Sequence, residues 1–218
     1  MTDFTLDCFL ESGNAYKAAL MLELSSADWS PRRVAFFTGQ TRSPEFREMN
    51  VMGEVPVLTH HKPDSDVVLS QSGAILDYLS RKFDRFGPAN EDERREILRW
   101  LLWDNHKLTS YVATYRFMSR FQKKTDEDPV TQFFQARAVN AFKVLDAHLG
   151  GRDFVVSGHP TIADLSLCGY LFWPDQIGMD LTAYPNIAAW LDRIAALPGY
   201  KRPEELMPSG MDPATATA

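Results

Sequence analysis

Short β-prone runs and helical segments alternate through the first 83 residues, and after Gly87-Pro88 no strand pattern returns. Thr2–Cys8 sets Phe4, Leu6 and Cys8 on one face of an extended chain. Ser12-Gly13-Asn14 interrupts it, and Ala15–Leu24, rich in Ala, Leu and Met, reads as a helix. Arg33–Phe37, after Pro31, is the second expected strand. Ser43-Pro44-Glu45 opens a short helix, because proline is accepted in a first turn and an acid suits the positive end of the helix dipole. Val55–Thr59 and Asp66–Leu69 are β-branched runs joined by the turn cluster Lys62-Pro63-Asp64-Ser65. Ser70 then leads into Gln71–Phe83, where Ile75, Leu76 and Leu79 keep helical spacing.

The order is β-α-β, a short helix, then β-β-α. Crossover handedness makes the first two strands parallel, and the tight turn makes the last two antiparallel. Residues 1–83 are therefore expected to form a thioredoxin-like α/β domain. Glu91–Gln122, Pro129–Leu149 (stopped by Gly150-Gly151), Thr161–Trp173 and Asn186–Leu197 all read as helices. This implies an all-α domain over 91–208, with 209–218, built of Pro, Ser, Gly, Thr, Ala and a few others, as an unstructured tail. The 23 basic and 29 acidic residues leave a net charge of −6, which disfavours a nucleic-acid partner. No apolar run approaches the roughly 20 residues of a membrane span. Met1-Thr2-Asp3-Phe4 lacks the basic and apolar regions of a signal peptide, so a cytoplasmic protein with no membrane partner is expected. Two cysteines, Cys8 and Cys168, exclude a disulfide framework, and the five histidines show no ligand spacing, so no metal is expected.

Two segments carry chemistry. In Gly53-Glu54-Val55-Pro56-Val57-Leu58, a proline opens a strand to whose ladder it cannot donate. It is either a trans edge-strand proline or, as in thioredoxin-like domains, a cis proline that turns the preceding backbone toward a bound peptide. Leu69-Ser70-Gln71-Ser72-Gly73-Ala74-Ile75 is a strand running into a helix start, where backbone N–H groups favour an anion. A third motif, Pro160-Thr161-Ile162-Ala163-Asp164, reads as a capping box with a structural role.

With Ser12-Gly13-Asn14-Ala15-Tyr16-Lys17 and Pro44-Glu45-Phe46, these motifs make the chain resemble the cytosolic glutathione transferases, a serine-type bacterial member, over roughly Thr2–Pro208. The resemblance implies glutathione as co-substrate and conjugation of its thiolate to a small hydrophobic electrophile, as in detoxification. It leaves open a glutathione-dependent disulfide reductase or peroxidase, and a non-catalytic binding module. Ser12 is implied as the donor to sulfur, with Asn14 as the alternative should Ser12 only cap the first helix. The positions where tyrosine-type members carry their tyrosine hold Phe9 and Leu10. Val55 would offer its backbone to the cysteinyl residue beside a cis Pro56, and Gln71 and Ser72 would hold the γ-glutamyl carboxylate. Glu54 departs from the basic or amide residue usual at the glycyl end, where Gln40 or Lys17 would have to substitute. Asp104 is implied as an acid reaching the γ-glutamyl ammonium across a homodimer. Trp103, Lys107, Tyr111 and Tyr115, one face of the long helix, would line the electrophile site, with Arg116 beside them to attract an anionic substrate. Cys8, inside a strand, reads as a buried inert thiol.

Overall fold

A computed structural model describes residues 2–125 and 127–211. The described residues divide into two units: one holds 2–85 together with 197–211, the other spans Phe86–Ala196. No helix of the described residues is long and apolar enough to cross a membrane.

The first unit is built on β1 (Phe4–Cys8), α1 (Gly13–Leu24), β2 (Trp29–Arg33), α2 (Pro44–Met49), β3 (Val57–His60), β4 (Val67–Ser70) and α3 (Ser72–Phe83). The sheet order is β2-β1-β3-β4, with β1 parallel to β2 and antiparallel to β3, and β3 antiparallel to β4. This is the thioredoxin-like α/β arrangement. The helix α1 is buried over almost its whole length, which is why its apolar residues show no amphipathic stripe. It packs on α3, whose Ile75, Leu76 and Leu79 are fully buried. The second strand lies earlier than the sequence suggests. Pro31 falls inside β2, opposite Leu6, and a proline is tolerated there because β2 is an edge strand. Phe36 and Phe37, expected within that strand, belong instead to a 3-10 turn, Phe36–Thr38.

The second unit is helical: α4 (Glu91–Trp103), α5 (Thr109–Arg116), α6 (Pro129–Leu149), α7 (Ile162–Leu167) and α8 (Pro185–Ala195). A π turn, Asp104–Leu108, joins α4 to α5, and a second, Phe117–Phe121, follows α5. The capping box at the start of α7 is present.

The last stretch departs from expectation. Instead of trailing from the helical domain, α9 (Pro203–Leu206) and the residues after it return to the first unit. Pro203, Leu206 and Met207 are buried, and the Tyr16 hydroxyl donates to the Lys201 carbonyl at 2.8 Å. Leu10 N–H donates to the Pro208 carbonyl at 2.8 Å, and Glu11 accepts from Ser209 Oγ at 2.7 Å and from Gly210 N–H at 2.9 Å. Arg33 donates to the carbonyls of Ser209 and Met211. Residues 209–211 are thus hydrogen-bonded rather than unstructured, while the remainder of the expected tail, 212–218, lies outside the described residues.

Candidate functional site

The residues singled out in the first unit gather around two helix starts and one strand entrance. Ser12 ends the β1–α1 connection in extended backbone, and its buried Oγ accepts from Ala15 N–H at 3.1 Å, which caps α1. A hydroxyl has two lone pairs and one proton. Capping uses a lone pair and leaves the O–H to donate, so the two readings of Ser12 are compatible. Asn14 stands in the first turn of α1, and its Oδ1 accepts from Ser72 Oγ at 3.4 Å. That hydroxyl belongs to the first residue of α3 and is buried. No side chain of Gln71, the residue preceding α3, caps the helix, so the leading N–H groups of α3 keep their capacity for an anion.

The approach to β3 meets the start of α3, where Gln71 Nε2 donates to Glu54 Oε2 at 3.1 Å. The Val55–Pro56 peptide bond is cis. The N–H and C=O of Val55 have no hydrogen-bond partner among the described residues, which leaves a peptide edge open to pairing. The loop before it is held by Asn50, buried, whose Nδ2 donates to the Glu54 carbonyl at 2.8 Å and whose Oδ1 accepts from Met52 N–H at 3.2 Å. Gly53 is required here: its φ is +65°, and a Cβ would lie 2.9 Å from the Thr41 carbonyl oxygen. The Arg47 guanidinium lies beside the same glycine. Asn50 was given no role from sequence, because a residue that holds a loop's backbone carries no motif.

Several expected roles are corrected. Asp104 is fully buried in the second unit, accepting from Thr109 Oγ1 at 2.7 Å and Ser166 Oγ at 2.5 Å. The Thr109 bond spans five residues, the interval of the π turn that it closes. A carboxylate so enclosed does not reach a ligand held by a partner subunit. Arg116 is likewise buried, donating through Nε at 2.9 Å and Nη2 at 2.6 Å to Gln176 Oε1 and lying 4.4 Å over the Trp173 ring. It organises the helical core and does not present a charge to an anionic substrate. Lys17 is fully buried within α1 and does not stand ready as a basic contact for a glycyl carboxylate, whereas the exposed Gln40 accepts from Ala35 N–H through Oε1 at 2.7 Å, which leaves its Nε2 to donate. In the second unit, Trp103, Lys107 and Tyr111 are half-buried. Tyr115 lines an open pocket of ≈ 450 Å³ with Ser119, Arg120, Asp175 and Gln176.

The thiols are chemically quiet. Cys8 is fully buried, and burial, helped by the charge of Asp7, pushes its pKa up to about 12. At neutral pH such a group supplies essentially no thiolate. Cys168 is also buried, in the second unit.

A family model described as the glutathione S-transferase N-terminal domain matches residues 4–81, and one described as the glutathione S-transferase C-terminal domain matches residues 122–193. A crystal structure of a possible glutathione S-transferase from Rhodopseudomonas palustris is 30% identical, with a TM-score of 0.84 over 99% of this chain and 96% of that one. A disulfide-bond oxidoreductase of Escherichia coli is 26% identical over 87% of this chain and 89% of its own. Rat glutathione S-transferase theta-2 is 29% identical, over 80% and 73%.

Proposed function

Because the chain belongs to the glutathione S-transferase family, we propose that it binds glutathione along the open edge of its first unit and transfers the thiolate to a hydrophobic electrophile, as a serine-type member. The observation that carries this reading is the 3.4 Å contact between Ser72 and Asn14, which brings the start of α3 against the start of α1. A tripeptide with a carboxylate at one end and a thiol at its middle needs that proximity. The N–H groups of α3 take the γ-glutamyl carboxylate, and the Ser72 hydroxyl turns from its long bond to Asn14 to donate to it. The free backbone groups of Val55 pair with the cysteinyl residue, as in strand addition.

The thiol of glutathione has a pKa of about 8.5 and is a weak nucleophile until deprotonated. The Ser12 hydroxyl donates to the developing thiolate, and the positive end of α1 favours the charge. The hydroxyl proton stays on Ser12 while the thiol proton leaves to solvent. The sulfur then forms the new bond to the electrophile as the leaving group departs.

The test is turnover of a chloronitrobenzene with glutathione. Ser12→Ala is expected to lower kcat/KM about 100-fold, the usual cost of one preorganised donor. Ser12→Gly is the cleaner variant, since glycine at a helix cap costs only a few tenths of a kcal/mol. Equal rates in Ser12→Gly and the parent would remove Ser12 from the chemistry and leave Asn14 as the donor. Cys8→Ala should leave kcat/KM unchanged.

A second reading, glutathione-dependent disulfide reduction, is favoured by the Escherichia coli relative named above. It needs no protein thiol, because two glutathione molecules supply both sulfurs, in keeping with a Cys8 thiol that burial keeps protonated. Reduction of a small mixed disulfide without conjugation would select it. We further propose a homodimer, as the family resemblance implies; Leu98 and Leu102 leave an apolar strip on α4, 56% and 62% exposed. A single-chain mass in sedimentation at micromolar concentration would refute it.

A further inference from the structure

On the family pattern, Glu54 is an acid in the wrong place, next to the glycyl carboxylate of glutathione. The geometry points elsewhere: we propose that Glu54, acting through Gln71, makes the first unit selective for the γ-glutamyl ammonium. This deepens the glutathione reading above and rests on it.

Glu54 Oε2 accepts from Gln71 Nε2 at 3.1 Å, and the same nitrogen lies 3.0 Å from Met52 Sδ. A carboxylate only accepts, so the amide must turn its nitrogen to Glu54 and not its oxygen. Both amide protons are then directed at Glu54 and Met52, and the atom left to meet a ligand is Oε1, an acceptor. An acceptor repels a carboxylate and binds an ammonium. This revises the sequence expectation that Gln71 and Ser72 share the γ-glutamyl carboxylate.

The γ-glutamyl group carries its carboxylate and ammonium on one carbon, so two adjacent subsites of opposite character must read it. The start of α3, with Ser72, is the donor half. Gln71, the residue just before it, is the acceptor half. Its backbone stands at φ +69°, ψ 113°, a conformation uncommon for a residue with a side chain, and this turns Gln71 out of the helix to meet Glu54. Glu54 is held in its turn, since Asn50 bonds its carbonyl and Gly53 allows the loop to close on Thr41. The ammonium also needs a counter-charge. Asp104, the acid expected to provide it, is buried with both oxygens engaged. Glu54 supplies a negative charge one amide away. It is a positioning residue: it orients and polarises Gln71 without touching the ligand.

The experiment is calorimetric binding of three probes to the full chain and to Glu54→Gln, which keeps an acceptor for Gln71 but removes the charge. The probes are glutathione, its deaminated analogue glutaryl-cysteinyl-glycine, and the glycyl monoethyl ester of glutathione. The parent is expected to prefer glutathione to the deaminated analogue about tenfold. Glu54→Gln should bring the two within about twofold by weakening glutathione, with the ester-to-glutathione ratio unchanged. A merely structural role would weaken all three probes alike. Tighter glutathione binding in Glu54→Gln, with a changed ester ratio, would put the acid at the glycyl end and overturn the proposal; so would undiminished discrimination against the deaminated analogue. A parent chain that binds none of the three would instead refute the glutathione reading itself.

Discussion

Asp164→Ala is expected to lower the stability of the chain by about 4 kcal/mol or more, read as a fall in the urea midpoint. Asp164 is fully buried and accepts four bonds: from Val155 N–H at 2.9 Å, Trp190 Nε1 at 2.9 Å, Thr161 N–H at 2.8 Å and Thr161 Oγ1 at 3.2 Å. Its removal strands several donors with no water to replace the acceptor, at about 1–3 kcal/mol each. Set against a typical total stability of about 5–15 kcal/mol, one side chain decides much of whether the second unit folds. Asp164→Asn keeps the volume but turns an N–H₂ toward donors, and it should recover less than half of the loss. A midpoint unchanged in Asp164→Ala would show that the network is dispensable.

Truncation after Arg202 carries the second large effect. It removes the buried Leu206 and Met207, worth about 2 kcal/mol each, together with the bonds that Leu10, Glu11 and Arg33 make to residues 208–211. A loss of about 5 kcal/mol is expected, falling on the first unit. Gly210→Val tests the last described residues, the strap Pro208–Met211, apart from the buried Leu206 and Met207. Gly210 is buried, and a Cβ there would lie 2.8 Å from Phe9 Cβ, so the strap must lift. Such overpacking costs about 1–3 kcal/mol. The Leu10 amide, bonded to Pro208, should then exchange with solvent at least about tenfold faster, since every 1.4 kcal/mol is a factor of ten. Because Ser12 lies two residues on, glutathione turnover should fall with that protection. Unchanged exchange at Leu10 would show that the strap does not hold the loop.

Much of the fold was legible because each element announced itself locally. Pro129 and Gly150 bracket α6, and Thr161 and Asp164 mark the start of α7 with the bonds they form. The second strand was misplaced because Pro31 reads as a strand breaker, and only the sheet order, a non-local fact, makes it an edge residue. Asp104 and Arg116 were misjudged for a related reason. A charged residue on a helix reads as exposed, while its burial depends on Ser166 and Gln176, some sixty residues away. The role of Glu54 was hidden in the same manner, since its partner Gln71 sits on a different element. The strap escaped notice because a stretch of Pro, Ser and Gly has no periodicity, and its affinity for the first unit lies in backbone bonds.

That strap also sets an order for biosynthesis. A ribosome releases the thioredoxin-like fold's own sheet early, yet the loop bearing Ser12 waits for Pro208–Met211 to emerge before its last hydrogen bonds can close. A nascent chain that has not yet reached Pro208 therefore holds a whole sheet while the corner bearing Ser12 is still loose.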